Sequence, residues 1–111
     1  MEFFNIFSCI GHGYREKVYC QAIIEKLYEN GISFKYQVQV PVVLNGKVIA
    51  KRYMDFLIEN KIVIEVKVGD RIPRGQFNQL EEYLKLTKLK LGLLVAFRRN
   101  EAKVFRVLNL Y

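Results

Sequence analysis

The residues able to do chemistry concentrate in Met54 to Val68, MDFLIENKIVIEVKV, where Asp55, Glu65 and Lys67 interrupt two apolar strand patterns joined by a polar turn. An ionised group inside a strand costs several kcal/mol unless it is paired or coordinated. Residues two apart on a strand share a face, which places Glu65 and Lys67 together and turns Ile64, Val66 and Val68 the other way. A three-residue turn, Glu59 to Lys61, pairs Ile58 with Ile62 and sets Asp55 opposite Glu65. A two-residue turn makes their relation diagonal. Directly opposed carboxylates, with Cβ atoms about 5 Å apart, destabilise a sheet. A divalent cation would offset that, since Mg²⁺ is typically held by one or two carboxylates with water and a substrate phosphate. Lys67 could neutralise the cluster or position a nucleophilic water. The competing assignment is a salt-bridge cluster on a solvated sheet face, where such pairs are common and worth little.

Two further polar residues bear on this constellation. Glu16 lies three, four and seven residues before Tyr19, Cys20 and Ile23, on the inward stripe of a helix, although an acid in a first turn is also favoured by the helix dipole. Gln79 precedes Tyr83 by one helical turn and could face the sheet or solvent. His12 sits in a Gly-His-Gly turn and reads as a loop residue. Tyr19 and Tyr83 could stack on bases, but aromatics at helical spacing are more often core.

The elements that must position these groups follow from periodicity. Apolar residues at Tyr19, Cys20, Ile23 and Leu27 predict a helix between Gly13 and Gly31, closed by Asn30-Gly31. Phe34 to Leu44 reads as a strand whose Pro41 suggests an edge or a bulge. Asn45-Gly46 signals a hairpin, the chain returning through Val48 to Ile58 and again along Ile62 to Val68. Pro73 opens a second helix to Thr87, with Phe77, Leu80 and Leu84 on one face. Leu91 to Phe97 is a buried strand and Ala102 to Leu108 a half-exposed one. The order is helix, three-strand antiparallel meander, helix, strand, strand, an α/β fold with a central mixed sheet.

At 111 residues the chain is expected to form one domain over 1–111. A hydrophobic fraction of 51% excludes disorder. No apolar run spans a bilayer and MEFFNIFSCIG lacks a basic leader, so the expected location is cytoplasmic, without membrane. Cys9 and Cys20 have no metal-ligand spacing and read as reduced. The net charge of +7 suits a polyanionic partner.

Taken together, these residues resemble a known family. GYREKVY, Gly13 to Tyr19, fits the G-x-x-E-x-x-Y signature of the GxxExxY proteins, a compact branch of the PD-(D/E)XK nuclease superfamily. MDFLIENKIVIEVKV and NQLEEYLKLTKLKLGLLVAF extend the likeness from Ile10 to Phe97. The resemblance implies a restriction-endonuclease-like core, with Asp55 and Glu65 as metal-binding carboxylates, Lys67 as the lysine of the E-x-K motif, Glu16 as the helix acid, and Gln79 and Tyr83 as the Q-x-x-x-Y element. A carbonyl near Val66 would complete the ligands to Mg²⁺, with Mn²⁺ as an alternative ion. The implied reaction is phosphodiester hydrolysis in nucleic acid, DNA foremost, with Arg71, Arg74, Arg98 and Arg99 gripping phosphates.

The sequence departs from the family in a first helix shortened to about ten residues, with Phe3, Phe4 and Phe7 as cover or as a homodimer contact. It also has Tyr53, with Arg52 beside it, where a basic residue is usual, and Gln76 in place of a frequent histidine. The alternative functions are a non-catalytic nucleic-acid-binding or assembly module retaining the nuclease fold, and a protein-interaction subunit using the N-terminal aromatics.

Overall fold

The computed structural model describes residues 3–110, with side chains from Ile6 onward. Its elements run α1 (Phe3–Ile10), α2 (Glu16–Glu29), β1 (Phe34–Leu44), β2 (Lys47–Ile58), β3 (Ile62–Val68), α3 (Arg74–Thr87), β4 (Leu91–Phe97) and β5 (Ala102–Leu108). The strands form one mixed sheet in chain order, β1-β2-β3-β4-β5, antiparallel except for β3 beside β4. That parallel join needs a crossover, which α3 supplies.

Each face of the sheet carries its own core. Ile64 and Val66 of β3, with Phe56, Val95 and Phe97, meet Tyr19, Cys20, Ile23 and Leu27 of α2. Val63, Leu94 and Ala96 meet Leu80, Tyr83 and Leu84 of α3. The second contact is close enough to dictate a glycine, because a Cβ at Gly92 would lie 2.8 Å from Leu80 Cδ1. Tyr19 stacks on Phe97 with centroids 4.1 Å apart, and Tyr83 is 1% exposed, so both tyrosine rings are core.

The N-terminal segment forms the shortened first helix. Phe3–Ile10 is a helix of eight residues. Its Ile6 is buried in the α2-side core and the half-buried Phe7 packs against that core, as cover. Phe3 and Phe4 fall among side chains outside the described residues. Among the described residues no helix is long and apolar enough to cross a membrane.

The β1–β2 hairpin is long and unevenly paired. Its ladder runs from Phe34↔Ile58 to Leu44↔Lys47, with a bulge between Val42 and Val43, next to Pro41. The Asn45-Gly46 turn has positive φ at both residues, the geometry for which that dipeptide is suited. By contrast, β2 pairs with β3 only at Phe56↔Ile64, Leu57↔Val63 and Ile58↔Ile62, across the turn Glu59 to Lys61.

Candidate active site

The seam between β2 and β3 ends where the charges begin. Ile58↔Ile62 confirms the three-residue turn, which brings Asp55 to the level of Glu65. The two are not a ladder pair, however, because β2 leaves β3 after Phe56. The Val66 amide donates instead to the Asp55 carboxylate, at 2.8 Å to Oδ2. A carboxylate has thus replaced a backbone acceptor at the point where the sheet opens.

A backbone irregularity explains the opening. Gln37, opposite Asp55 in the β1–β2 register, has φ +56°. Left-handed conformation in a glutamine costs about 1–3 kcal/mol, and its effect is to break the alternation of faces. Tyr36 contacts the Phe56 ring at 5.1 Å, on the α2 side. Val38, Val40 and Met54, one pleat further, belong to the α3-side core. The paired strands change faces across Gln37 and Asp55.

Both carboxyl groups are buried, Asp55 at 8% and Glu65 at 6% exposure. Burial pushes the Glu65 carboxyl up to about 9; the Asp55 charge and a hydrogen bond shared with Asp55 add to the rise, and Lys67 offsets part of it. Glu65 Oε1 is buried without a hydrogen-bond partner. Glu16, in the first turn of α2, is half-buried and raised by burial, with Lys67 lowering it and Asp55 raising it. Four ionisable groups from α2, β2 and β3, Glu16, Asp55, Glu65 and Lys67, are therefore within electrostatic reach of one another. Cys20 lies beside them, its thiol pushed up to about 12 by burial and then by Asp55, Glu16 and Glu65.

Gln79 is half-buried and turned toward the sheet through Tyr83. Its amide donates to Tyr83 Oη at 2.8 Å, and that hydroxyl donates to the Tyr53 carbonyl at 3.2 Å. Helix α3 is thereby tied to β2 two residues before Asp55. Arg52, in the same strand, pairs with Glu82 at 2.5 Å and makes a second tie. Sequence reasoning left Arg52 unpartnered, and no local spacing signals a pair 30 residues apart.

The four arginines are more dispersed. Arg71, Arg74 and Arg99 are exposed. Arg98 lies over the Phe105 ring, 5.6 Å from its centroid, and its Nε is buried without a partner. The Arg99 amide donates to Asp70, joining the loops after β3 and β4. Arg74 shares an open cavity with Phe77 and Arg106 behind α3, apart from the carboxylates. His12 is exposed in its loop. The groove lined by Arg52, Gly75, Asn78, Gln79 and Glu82 flanks the ties between α3 and β2.

A family model of the PD-(D/E)XK nuclease superfamily matches residues 1–107. The chain belongs to that superfamily. Membership accounts for the helix, meander, helix and strand order. No curated protein matches the sequence. Among solved structures, the crystal structure of SSO0001 is similar at 25% identity, with a TM-score of 0.64 over 85% of this chain. The present chain spans 50% of that one.

PD-(D/E)XK nucleases generally use divalent metals, and the residues present suit one. Two buried carboxylates compete for one small volume, one of them with an orphaned oxygen, an arrangement a cation would relieve. Among the described residues no group of three or more His, Cys, Asp and Glu side chains forms a ready cage. Carboxylate oxygens of this kind suit a hard divalent cation.

Proposed function

We propose that the protein is a metal-dependent nuclease hydrolysing phosphodiester bonds, with DNA as substrate. The observation that carries this reading is the buried pair Asp55 and Glu65 at the open end of the β2–β3 seam, with an unpartnered Glu65 oxygen and Lys67 one pleat away. Asp55, Glu65 and the Val66 carbonyl would hold Mg²⁺ or Mn²⁺, with Glu16 directly or through water. The ion, when bound, supplies charge stabilisation at the scissile phosphate.

The chain's own groups do the rest. The Val66 amide fixes the Asp55 carboxylate. Lys67 orients the attacking water and holds Glu65 and Glu16 toward their charged forms. Gln79, through Tyr83, holds β2 against α3 and so positions Asp55. Arg71, Arg98 and Arg99, on loops at this end of the sheet, and Arg74 beyond them neutralise flanking phosphates.

A binding or assembly module is the rival reading. The hydrogen bond between Glu65 and Asp55 favours it, because it holds the two carboxyl groups together without metal. The test is cleavage of labelled linear, single-stranded and branched DNA and RNA with Mg²⁺, Mn²⁺ or EDTA. Metal-dependent cutting that is lost in Glu65→Ala and Lys67→Ala establishes the nuclease. Absence of cutting, with equal binding by wild type and variants, assigns the fold to binding alone.

A further inference from the structure

The half of the β1–β2 hairpin beyond Asp55 takes no part in the chemistry above. Because β2 is antiparallel to β3 and leaves it at Phe56, residues 47–54 project past the seam. They point the way β3 runs, toward the end of the sheet that bears Arg71 and, on parallel β4, Arg98 and Arg99. Eight residues at about 3.3 Å each carry the tip roughly 26 Å from Asp55.

This ribbon is unlike an ordinary solvent-facing hairpin. Val43, Leu44, Val48 and Ile49 are all more than half exposed, at 55, 57, 53 and 60%. From Phe34 to Met54 the sequence holds Lys35, Lys47, Lys51 and Arg52 and no acid. An apolar ribbon carrying only positive charge matches a polyanion with apolar surfaces between its charges, which describes a nucleic-acid groove. It mismatches a second copy of itself, because pairing two ribbons would oppose like charges.

Two features narrow the form of nucleic acid. Non-specific single-strand binders rely on aromatic platforms, and the ribbon from Pro41 to Lys51 contains no aromatic residue, the exposed Tyr53 lying at its base. A two-stranded β-ribbon fits the major groove of B-form DNA, about 12 Å wide, whereas the A-form RNA major groove is too narrow for side chains to read.

We propose that the Pro41–Lys51 ribbon lies in the major groove of duplex DNA. Lys47 and Lys51 contact phosphates on the groove walls, and Leu44 near the tip, with Ile49 at the bulge, faces base edges and thymine methyls. The inference rests on the nuclease reading and deepens it by naming B-form duplex DNA as substrate. The opening between ribbon and β3 then seats the duplex against the carboxylates.

The test is fluorescence anisotropy in EDTA, so that nothing is cut. The probes are a labelled DNA duplex of about 30 base pairs, roughly three helical turns, the RNA duplex of the same sequence, and the single DNA strand. Lys47→Ala with Lys51→Ala, and separately Leu44→Ser with Ile49→Ser, should each weaken duplex DNA binding about tenfold or more. The lysine pair should also lower the log–log salt slope by about two. Wild type should bind duplex RNA about tenfold more weakly than duplex DNA, and single-strand affinity should stay within about twofold in both variants. Thermal melts matching wild type establish that the variants fold.

Wild-type duplex affinity in both variants, or equal losses on all three probes, overturns the proposal. Loss of self-association in sedimentation, with DNA affinity unchanged, overturns it in favour of a protein interface. Metal-dependent cleavage with unaltered binding by the ribbon variants leaves the nuclease standing and removes the ribbon's role. Ribbon-dependent binding without cleavage does the reverse, and a wild type that binds none of the probes removes both.

Discussion

Glu65 is the residue on which most depends. Its folded acidity lies near 9, above the value near 4.5 of an unperturbed side chain, so the metal-free native state holds this proton more tightly than the unfolded chain does. That contribution to stability is fully present below about pH 4.5 and is lost as the pH rises through about 9. Glu65→Gln, close in shape to the protonated acid, should match wild-type stability below about pH 4.5 and be the more stable of the two at pH 7. It should also flatten the decline between pH 5 and 9 in urea titrations. Cleavage should disappear in the same variant. At this scale the sequence was legible, since Asp55, Glu65 and Lys67 stood out as charges in strands. What it left open was whether Asp55 faced Glu65 directly or on a diagonal. The answer, a carboxylate accepting the Val66 amide, depends on where a ladder stops, which no residue type announces. Gln37 escaped notice for a related reason: glutamine carries no turn signal, and its left-handed φ is imposed by the strands around it. Replacement by glycine should be tolerated, whereas the β-branched Val at Gln37 should cost about 1–3 kcal/mol and lower cleavage further than stability alone explains. Melts and single-turnover rates on the same samples separate the two effects.

Helix α3 holds the site from behind. Tyr83→Phe removes the hydroxyl that accepts from Gln79 and donates to the Tyr53 carbonyl, leaving that carbonyl short of a partner. A cost of about 1–2 kcal/mol is expected in denaturant titration. Cleavage by the folded fraction should drop as well, because β2 is less firmly placed. Gly92→Ala tests the other side of the same helix. The new methyl would press on Leu80, destabilising by about 1–3 kcal/mol, and a second change, Leu80→Ala, should recover none of the lost packing but relieve the clash. Element by element, the helical stripes and strand alternations read from sequence match α2, β1 to β3, α3, β4 and β5 closely. The short α1 came from the resemblance and not from periodicity, because MEFFNIFSCIG is too short and too apolar for its pattern to distinguish helix from cover. The tie from Arg52 to Glu82 was invisible because tertiary structure alone brings those residues together.

The whole molecule carries a formal charge of +7, unevenly spread, with the acid-free hairpin at one extreme. Nucleic-acid affinity measured from 50 to 200 mM salt should therefore fall log-linearly, by about one decade per decade of salt for each phosphate contact. The order of strands in the sheet is the order in the chain, which made the topology unusually open to reading from sequence. That order also bears on assembly. The β1–β2 hairpin can zip locally over ten rungs, and β3-α3-β4 can close as a unit, but the two are joined by three rungs. Pulse-labelled hydrogen exchange during refolding should protect each unit before the seam between them. Asp55 belongs to one unit and Glu65 to the other. The two carboxylates first meet when the halves dock, so the candidate metal site is the last feature such a folding chain completes.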